Sequence, residues 1–137
     1  MHLVILARGG GWERRYEASA LAASAASRGD RVDLVLLFGA LDAWVRGEWD
    51  ALDPTPALDR DRLASLDFPS LSSLVESARA GGGEAGAGGG GLRLYGCSAS
   101  ARALGLDPGE VQGRVDVVCG WQTFTKLIAA ADRVVTL

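Results

Sequence analysis

The feature that most constrains the fold is an alternation of short β-branched or aliphatic runs with helix-forming segments. Residues 3–7 are an apolar run, residues 13–27 are rich in alanine, and residues 32–38 are a second apolar run. A basic residue and a glycine, Arg28 and Gly29, mark the end of the alanine-rich segment. Strand, helix and strand at this spacing predict a βαβ unit with a right-handed crossover between parallel strands.

The same alternation continues to the end of the chain. Residues 92–96, 115–119 and 133–137 are predicted strands, and residues 71–79, 98–104, 122–131 and a segment that starts at Asp107 and Pro108 are predicted helices. Residues 47–67, with mixed charges and two prolines, are predicted as loop. About five strands alternating with helices predict a three-layer α/β/α sandwich around a mostly parallel sheet. A length of 137 residues fits a single domain over residues 1–137.

A glycine-rich segment, residues 81–91, is predicted to be a flexible tether. A phosphate-binding loop of the Walker type needs Gly-Lys-Ser/Thr before a helix. Here no lysine follows the glycines, and the next element is a predicted strand. The segment therefore does not predict a nucleotide site.

Charge and cysteine content limit the class of protein. The net charge of −3 and pI near 5.1 argue against nucleic acid or an anionic membrane as a partner. Two cysteines do not make a disulfide framework, which favours a reducing cytoplasm. The apolar N-terminus is followed by the charged residues Arg8, Glu13 and Arg14, which a secretory signal does not tolerate, and no apolar stretch is long enough to span a bilayer.

Cys97 is the strongest candidate for a reactive residue. It ends a predicted strand and is followed at once by Ser98-Ala99-Ser100, which is typical of a helix start. Thiols near the positive end of a helix dipole have lowered pKa values and act as nucleophiles or sulfur carriers. The amides of residues 99–101 are candidate donors to the sulfur, and the hydroxyls of Ser98 and Ser100 are further ones. The alternative is that the cysteine packs in the core and the serines only cap the helix.

Cys119 falls at the predicted end of another strand. If the two strands are neighbours, the two sulfurs come close, and Cys119 would then resolve a persulfide or disulfide of Cys97. The alternative is a buried structural cysteine. One histidine, His2, and two distant cysteines do not predict a metal site, and no cofactor is expected.

Tryptophan positions form a further pattern. Trp12, Trp44 and Trp121 each follow a predicted strand, which places them at the same edge of the sheet as Cys97. Such residues predict either a pocket or a subunit interface, since aromatic side chains are enriched at interfaces. The alternative is that they pack beneath loops as core residues.

Several stretches together resemble a known family. They are residues 95–100 (Tyr-Gly-Cys-Ser-Ala-Ser), Gly105-Leu106, Glu110-Val111 and residues 130–135, with residues 28–32 and 37–41 in the first half. The chain resembles the DsrE/DsrF-like family, in particular the DsrE2-type branch that is often labelled "peroxiredoxin family protein". Ala99 and Ala101 stand where that branch has methionines.

The resemblance implies a DsrE-like fold and a cytoplasmic sulfur-relay protein, with Cys97 as the cysteine that carries sulfur as a persulfide. It also implies sulfur-donor and sulfur-acceptor proteins as partners, and a homo-oligomer, often a trimer or hexamer. A thiol peroxidase would carry Pro-x-x-x-Thr-x-x-Cys, but Gly90 and Leu94 occupy the proline and threonine positions. Peroxidase chemistry is therefore not expected.

Two alternatives to a sulfur carrier come from the residues themselves. One is a non-catalytic oligomeric scaffold or small-ligand-binding protein of the same fold, because one fold hosts many functions. The other is a mononucleotide site at the glycines of residues 8–11, just before the first helix. This second alternative lacks the full Gly-x-Gly-x-x-Gly pattern.

Overall fold

Parallel strands form the centre of the molecule. The computed structural model describes residues 1–54, 58–81 and 90–137. Over these ranges the sheet has five strands, all paired in parallel, in the order β4-β3-β2-β1-β5. The strands are β1 (His2–Ala7), β2 (Arg31–Leu36), β3 (Gly91–Cys97), β4 (Val117–Cys119) and β5 (Arg133–Thr136). The predicted α/β class with a parallel sheet is confirmed.

Helices connect these strands. They are α1 (Trp12–Ser27), α2 (Phe38–Val45), α3 (Arg60–Ser65), α4 (Leu71–Gly81), α5 (Ser98–Ala103), α6 (Pro108–Arg114) and α7 (Trp121–Ala130). The prediction that residues 47–67 are loop throughout is wrong, because α3 forms within them. Its N-cap is Asp59, whose carboxylate accepts a hydrogen bond from the Arg62 amide at 2.7 Å. The predicted tether falls mostly on residues 82–89, outside the described residues.

The two faces of the sheet bury different clusters. The larger cluster joins one face of the strands to residues of α1, α2 and α4. The smaller one lies on the other face and consists of Val4, Leu6, Val35, Leu37, Tyr95, Cys97 and Phe124. Phe124 is on α7, which supplies the helical side of this second face among the described residues. Cys97 therefore faces the layer that α7 covers.

A buried carboxylate lies on this second face near the start of β1. Asp33 on β2 is 0% exposed and accepts hydrogen bonds from Nε2 of His2 at 2.6 Å and from the Arg31 guanidinium at 3.0 Å. Buried charges persist in folded proteins when they are paired in this way. His2 therefore has a structural role at the end of the sheet opposite to the cysteines.

The loop after β1 and the first turn of α2 approach each other backbone to backbone. A Cβ placed on Gly39 would lie 3.0 Å from the amide nitrogen of Gly10 and 3.1 Å from its Cα. A larger residue at position 39 would force the loop and the helix apart. This contact holds the start of α2 against the loop that precedes α1 at the carboxyl edge of the sheet.

Among the described residues, no helix combines the length and the apolar character needed to cross a membrane.

Candidate functional site

Cys97 is both the last residue of β3 and the N-cap of α5. Its Sγ accepts a hydrogen bond from the Ser100 amide at 3.4 Å. The Ser100 amide is one of the donors expected from the sequence, whereas the cap is the cysteine itself and neither serine. A sulfur at an N-cap faces unpaired backbone N–H groups, an arrangement that stabilises negative charge on the sulfur.

The thiol of Cys97 lies below the surface. The residue is 1% exposed and packs in the smaller cluster with Tyr95 and Phe124. A reagent or partner protein in solution therefore cannot reach this sulfur in this conformation. Access to Cys97 requires either local opening or a second group that lies closer to the surface.

Cys119 is the direct neighbour of Cys97 across the sheet. The two residues are register partners on the parallel strands β3 and β4, and each is the last residue of its strand. Cys97 belongs to the smaller cluster and Cys119 packs against it, so the two side chains lie on the same face. Adjacent strands are about 4.8 Å apart, which is within the Cα separation that disulfides span. Both thiols are free.

The environment of Cys119 differs from that of Cys97. Cys119 is partly exposed, and burial of its sulfur nevertheless raises the pKa of the thiol. The hydroxyl of Thr123 opposes this rise in the Cys119 pKa, and the nearby Cys97 adds to it. Cys119 is therefore a thiol that keeps its proton to higher pH than an ordinary cysteine.

The two serines that follow Cys97 lie in different places. Ser98 lies beside the start of α7, since a Cβ placed on Gly120 would be 3.5 Å from the Ser98 hydroxyl. Ser100 is 0% exposed, and its hydroxyl has no hydrogen-bond partner within the described residues. A buried hydroxyl without a partner is costly, which makes Ser100 a candidate donor to a group bound near Cys97.

The three tryptophans expected at this edge of the sheet lie in different surroundings. Trp12 stacks on Tyr16 at 5.5 Å between ring centroids, and the Trp44 indole N–H donates to the Arg114 carbonyl at 2.7 Å. Both indoles are buried in the larger cluster, where Trp12 also packs against Phe68 and Trp44 against Trp49. Trp121 differs, since it is 49% exposed and packs edge-on against Phe124.

Phe38 is a residue that sequence reasoning missed. It follows β2, is 53% exposed and has a φ of 37°, in the left-handed region that side chains other than glycine rarely adopt. Because β2 and β4 flank β3, Phe38 and Trp121 follow the strands on either side of the one that ends at Cys97. No sequence signal marks Phe38, since it reads as the last residue of a buried strand.

The first helix does not present a free anion site. The Trp12 amide at its start donates to the Asp53 carboxylate at 2.8 Å. A carboxylate already occupies the position that a phosphate would take, so the mononucleotide alternative loses its geometric basis. A cavity of about 560 Å³ next to this helix is lined by Trp12, Leu63 and Phe68 among others, and by neither cysteine.

Metal ligands are not grouped in the described ranges. Within them, no three or more His, Cys, Asp or Glu side chains are placed to hold one metal ion.

Comparison with known proteins supports the architecture. No protein-family model matches the chain, and no curated protein matches it significantly. Among solved structures, the chain is similar to the crystal structure of the ychN protein from E. coli, with a TM-score of 0.59 and 15% identity over 100% of this chain and 99% of that one. The fold is DsrE-like. At this identity the similarity establishes the fold and no activity.

Proposed function

We propose that this protein is a sulfur-relay protein of the DsrE2 type that carries sulfur as a persulfide on Cys97. The observation that supports this best is the hydrogen bond from the Ser100 amide to Cys97 Sγ at the start of α5. A persulfide is an anionic sulfur species at neutral pH, and a backbone N–H at an N-cap is suited to hold it. The carboxyl edge of a parallel sheet is also where sites in open α/β folds gather.

The proposed reaction is a sulfur transfer without net oxidation. The Cys97 thiolate attacks the outer sulfur of a donor persulfide, R–S–SH, and R–S⁻ leaves as the sulfur–sulfur bond of the donor breaks. The same step in the reverse direction delivers the sulfur from Cys97 to an acceptor thiolate. Neither step needs a cofactor, and the partners are sulfur-donor and sulfur-acceptor proteins.

Residues near Cys97 have three further roles in this proposal. The Ser100 hydroxyl, buried and without a partner among the described residues, donates to the outer sulfur of the persulfide. The exposed ring of Phe38, which follows the strand next to β3, contacts the partner proteins. Ser98 positions the start of α7 through its approach to Gly120.

The remaining expectations belong to the same proposal. We propose that residues 1–137 form one domain, that the chain acts in the cytoplasm as a homo-oligomer, trimer or hexamer, and that exposed Trp121 contributes to its interface. Two free thiols suit a reducing compartment. Light scattering of the purified chain tests the assembly, and a monomer at all concentrations would contradict it.

One observation favours a second candidate, a non-catalytic scaffold or small-ligand-binding protein. Cys97 is 1% exposed, as expected of a cysteine that only packs in a core. The two candidates differ in the reactivity of this thiol, because a carrier must accept sulfur there and a scaffold need not.

The test is mass spectrometry after incubation with thiosulfate plus a sulfurtransferase, or with inorganic polysulfide. After gel filtration, we expect one added sulfur on the tryptic peptide 94–102, which contains Cys97. The matched variant Cys97→Ser should retain none at that position. A folded wild-type protein that retains no added sulfur would contradict the carrier and support the scaffold.

A further inference from the structure

Cys97 and Cys119 differ in exposure although they are neighbours. Cys97 is 1% exposed, while Cys119, its register partner on the edge strand β4, is partly exposed. A donor protein presents its persulfide on a surface that must meet an accessible thiol. Of the two cysteines, Cys119 is the one that is partly exposed to such a donor.

The strands that carry the two thiols, β3 and β4, are direct neighbours in the sheet. The two cysteines are paired in register and lie on the same face, where Cys119 packs against the cluster that contains Cys97. The Cα spacing of neighbouring strands, about 4.8 Å, brings sulfurs on the same face within reach of one another.

We propose that Cys119 is the entry and exit thiol of the relay and that sulfane sulfur passes between Cys119 and Cys97 within one chain. This inference rests on the proposed function of Cys97. The Cys97 thiolate attacks the outer sulfur of the Cys119 persulfide. The sulfur–sulfur bond at Cys119 breaks as the one at Cys97 forms, and the departing Cys119 thiolate takes up the proton that Cys97 gave up. The exchange is redox-neutral, so it needs no oxidant or reductant.

The surroundings of the two sulfurs suit these separate roles. The buried Cys97 sulfur receives the Ser100 N–H, which holds an anionic persulfide away from water and from reductants. Cys119 lies at the end of a strand with three residues, just before Trp121, which is 49% exposed. A carrier built in this way loads at its surface and stores sulfur beneath it.

The chain offers a direct assay for where the sulfur resides. Cys97 falls in tryptic peptide 94–102 and Cys119 in peptide 115–126, so each thiol is read separately. A persulfidated sulfurtransferase domain serves as protein donor, inorganic polysulfide as small donor, and iodoacetamide traps the persulfides before digestion without reductant. In wild type we expect sulfur on Cys119 first and on Cys97 later.

The decisive variant is Cys119→Ser, with Cys119→Ala as a second substitution. With the protein donor, loading of Cys97 should slow by about tenfold or more, because a buried thiol then reacts only after local opening. With polysulfide, which is small enough to enter during such openings, Cys97 should still load. Loading from the protein donor at the wild-type rate would overturn the inference. Failure of both variants to load from polysulfide would overturn it as well, since the substitution would then disturb Cys97 itself.

A measurement that uses no sulfur donor distinguishes failure of the relay between Cys119 and Cys97 from failure of the proposed carrier function. Phenylarsine oxide binds two neighbouring thiols with loss of water, so wild type should retain one phenylarsenic group under native conditions. Either single cysteine variant should lose it on washing with a monothiol. If wild type retains arsenic but never takes up sulfur, the carrier function is rejected although the two thiols are neighbours. If sulfur is found on Cys97 but never on Cys119, only the relay is rejected. Failure of wild type to retain arsenic would overturn the relay, because the two sulfurs would then not meet.

Discussion

The Ser100 amide donates to Sγ of Cys97 at 3.4 Å, so the candidate sulfur carrier is also the cap of α5. One side chain therefore has a structural and a chemical role, and a single substitution removes both unless the replacement can still cap the helix. Serine can, because its hydroxyl is among the preferred N-cap acceptors, whereas alanine cannot.

Cys97→Ser and Cys97→Ala should therefore have the same effect on sulfur retention but different effects on stability. We expect neither variant to retain sulfur at position 97. Cys97→Ala should lose about 1 kcal/mol more of unfolding free energy than Cys97→Ser, because the Ser100 amide loses its acceptor. Urea denaturation measures the difference. Equal stability of the two variants would mean that the cap contributes nothing.

Ser100→Ala tests the buried hydroxyl. Since this group has no partner within the described residues, its removal should leave the unfolding free energy unchanged or raise it by up to about 1 kcal/mol. If the hydroxyl donates to a persulfide, the same variant should lose sulfur from Cys97 faster than wild type. A loss of stability greater than about 1 kcal/mol would show that the hydroxyl is already hydrogen-bonded in the resting protein.

The reaction of Cys119 with iodoacetamide should depend on pH in a defined direction. Burial raises the pKa of this thiol, so its alkylation, read on peptide 115–126, should have a midpoint above the ordinary value of about 8.5. Because the Thr123 hydroxyl opposes that rise in the Cys119 pKa, Thr123→Val should move the midpoint higher still. A midpoint below that of a free cysteine would show that burial does not control the ionisation of Cys119.

The same raised pKa has a consequence for folding. A thiol that is harder to ionise in the native state contributes stability at pH values below its unfolded pKa, and the contribution is lost as pH rises through the folded pKa. Wild type should therefore lose stability relative to Cys119→Ser as the solution becomes alkaline. Denaturation midpoints at several alkaline pH values give this difference.

Ser19 and Trp49 form a buried hydrogen-bonded pair, and its loss should lower the free energy of unfolding. The Trp49 indole N–H donates to the Ser19 hydroxyl at 2.8 Å, and Trp49 is 2% exposed. Ser19→Ala should cost about 1–3 kcal/mol, because the indole N–H is left buried without an acceptor. In the Trp49→Phe background the same substitution should cost less, and a double-mutant cycle measures the coupling. Additive effects would show that the hydrogen bond is not formed.

The strands and most helices were predictable because each shows its own local pattern. Residues 3–7 and 32–38 read as buried strands from their apolar runs, and Asp107-Pro108 marks the start of α6. The helix α3 was missed because its six residues are too few to show a helical period and lie in a segment with charges and prolines.

Features that depend on packing between distant parts of the chain could not be predicted from the sequence. Cys97 was recognisable from its position, but its register pairing with Cys119 depends on the strand order, which no local pattern encodes. Likewise, Trp12 and Trp44 follow strands as expected, yet whether loops bury them is decided by residues far away in sequence. The left-handed backbone of Phe38 lies next to the close approach of Gly39 to Gly10, two residues far apart in sequence.

The strand that carries Cys119 has three residues and lies at the edge of the sheet. Edges with so few ladder hydrogen bonds separate from their neighbour at a lower free energy than the whole fold needs to unfold. Each such fraying event would uncover the sulfur of Cys97 for a moment. If Cys97 carries sulfur as proposed, the resistance of that sulfur to glutathione and the amide exchange protection of residues 117–119 should then vary together, because both would report the same opening equilibrium.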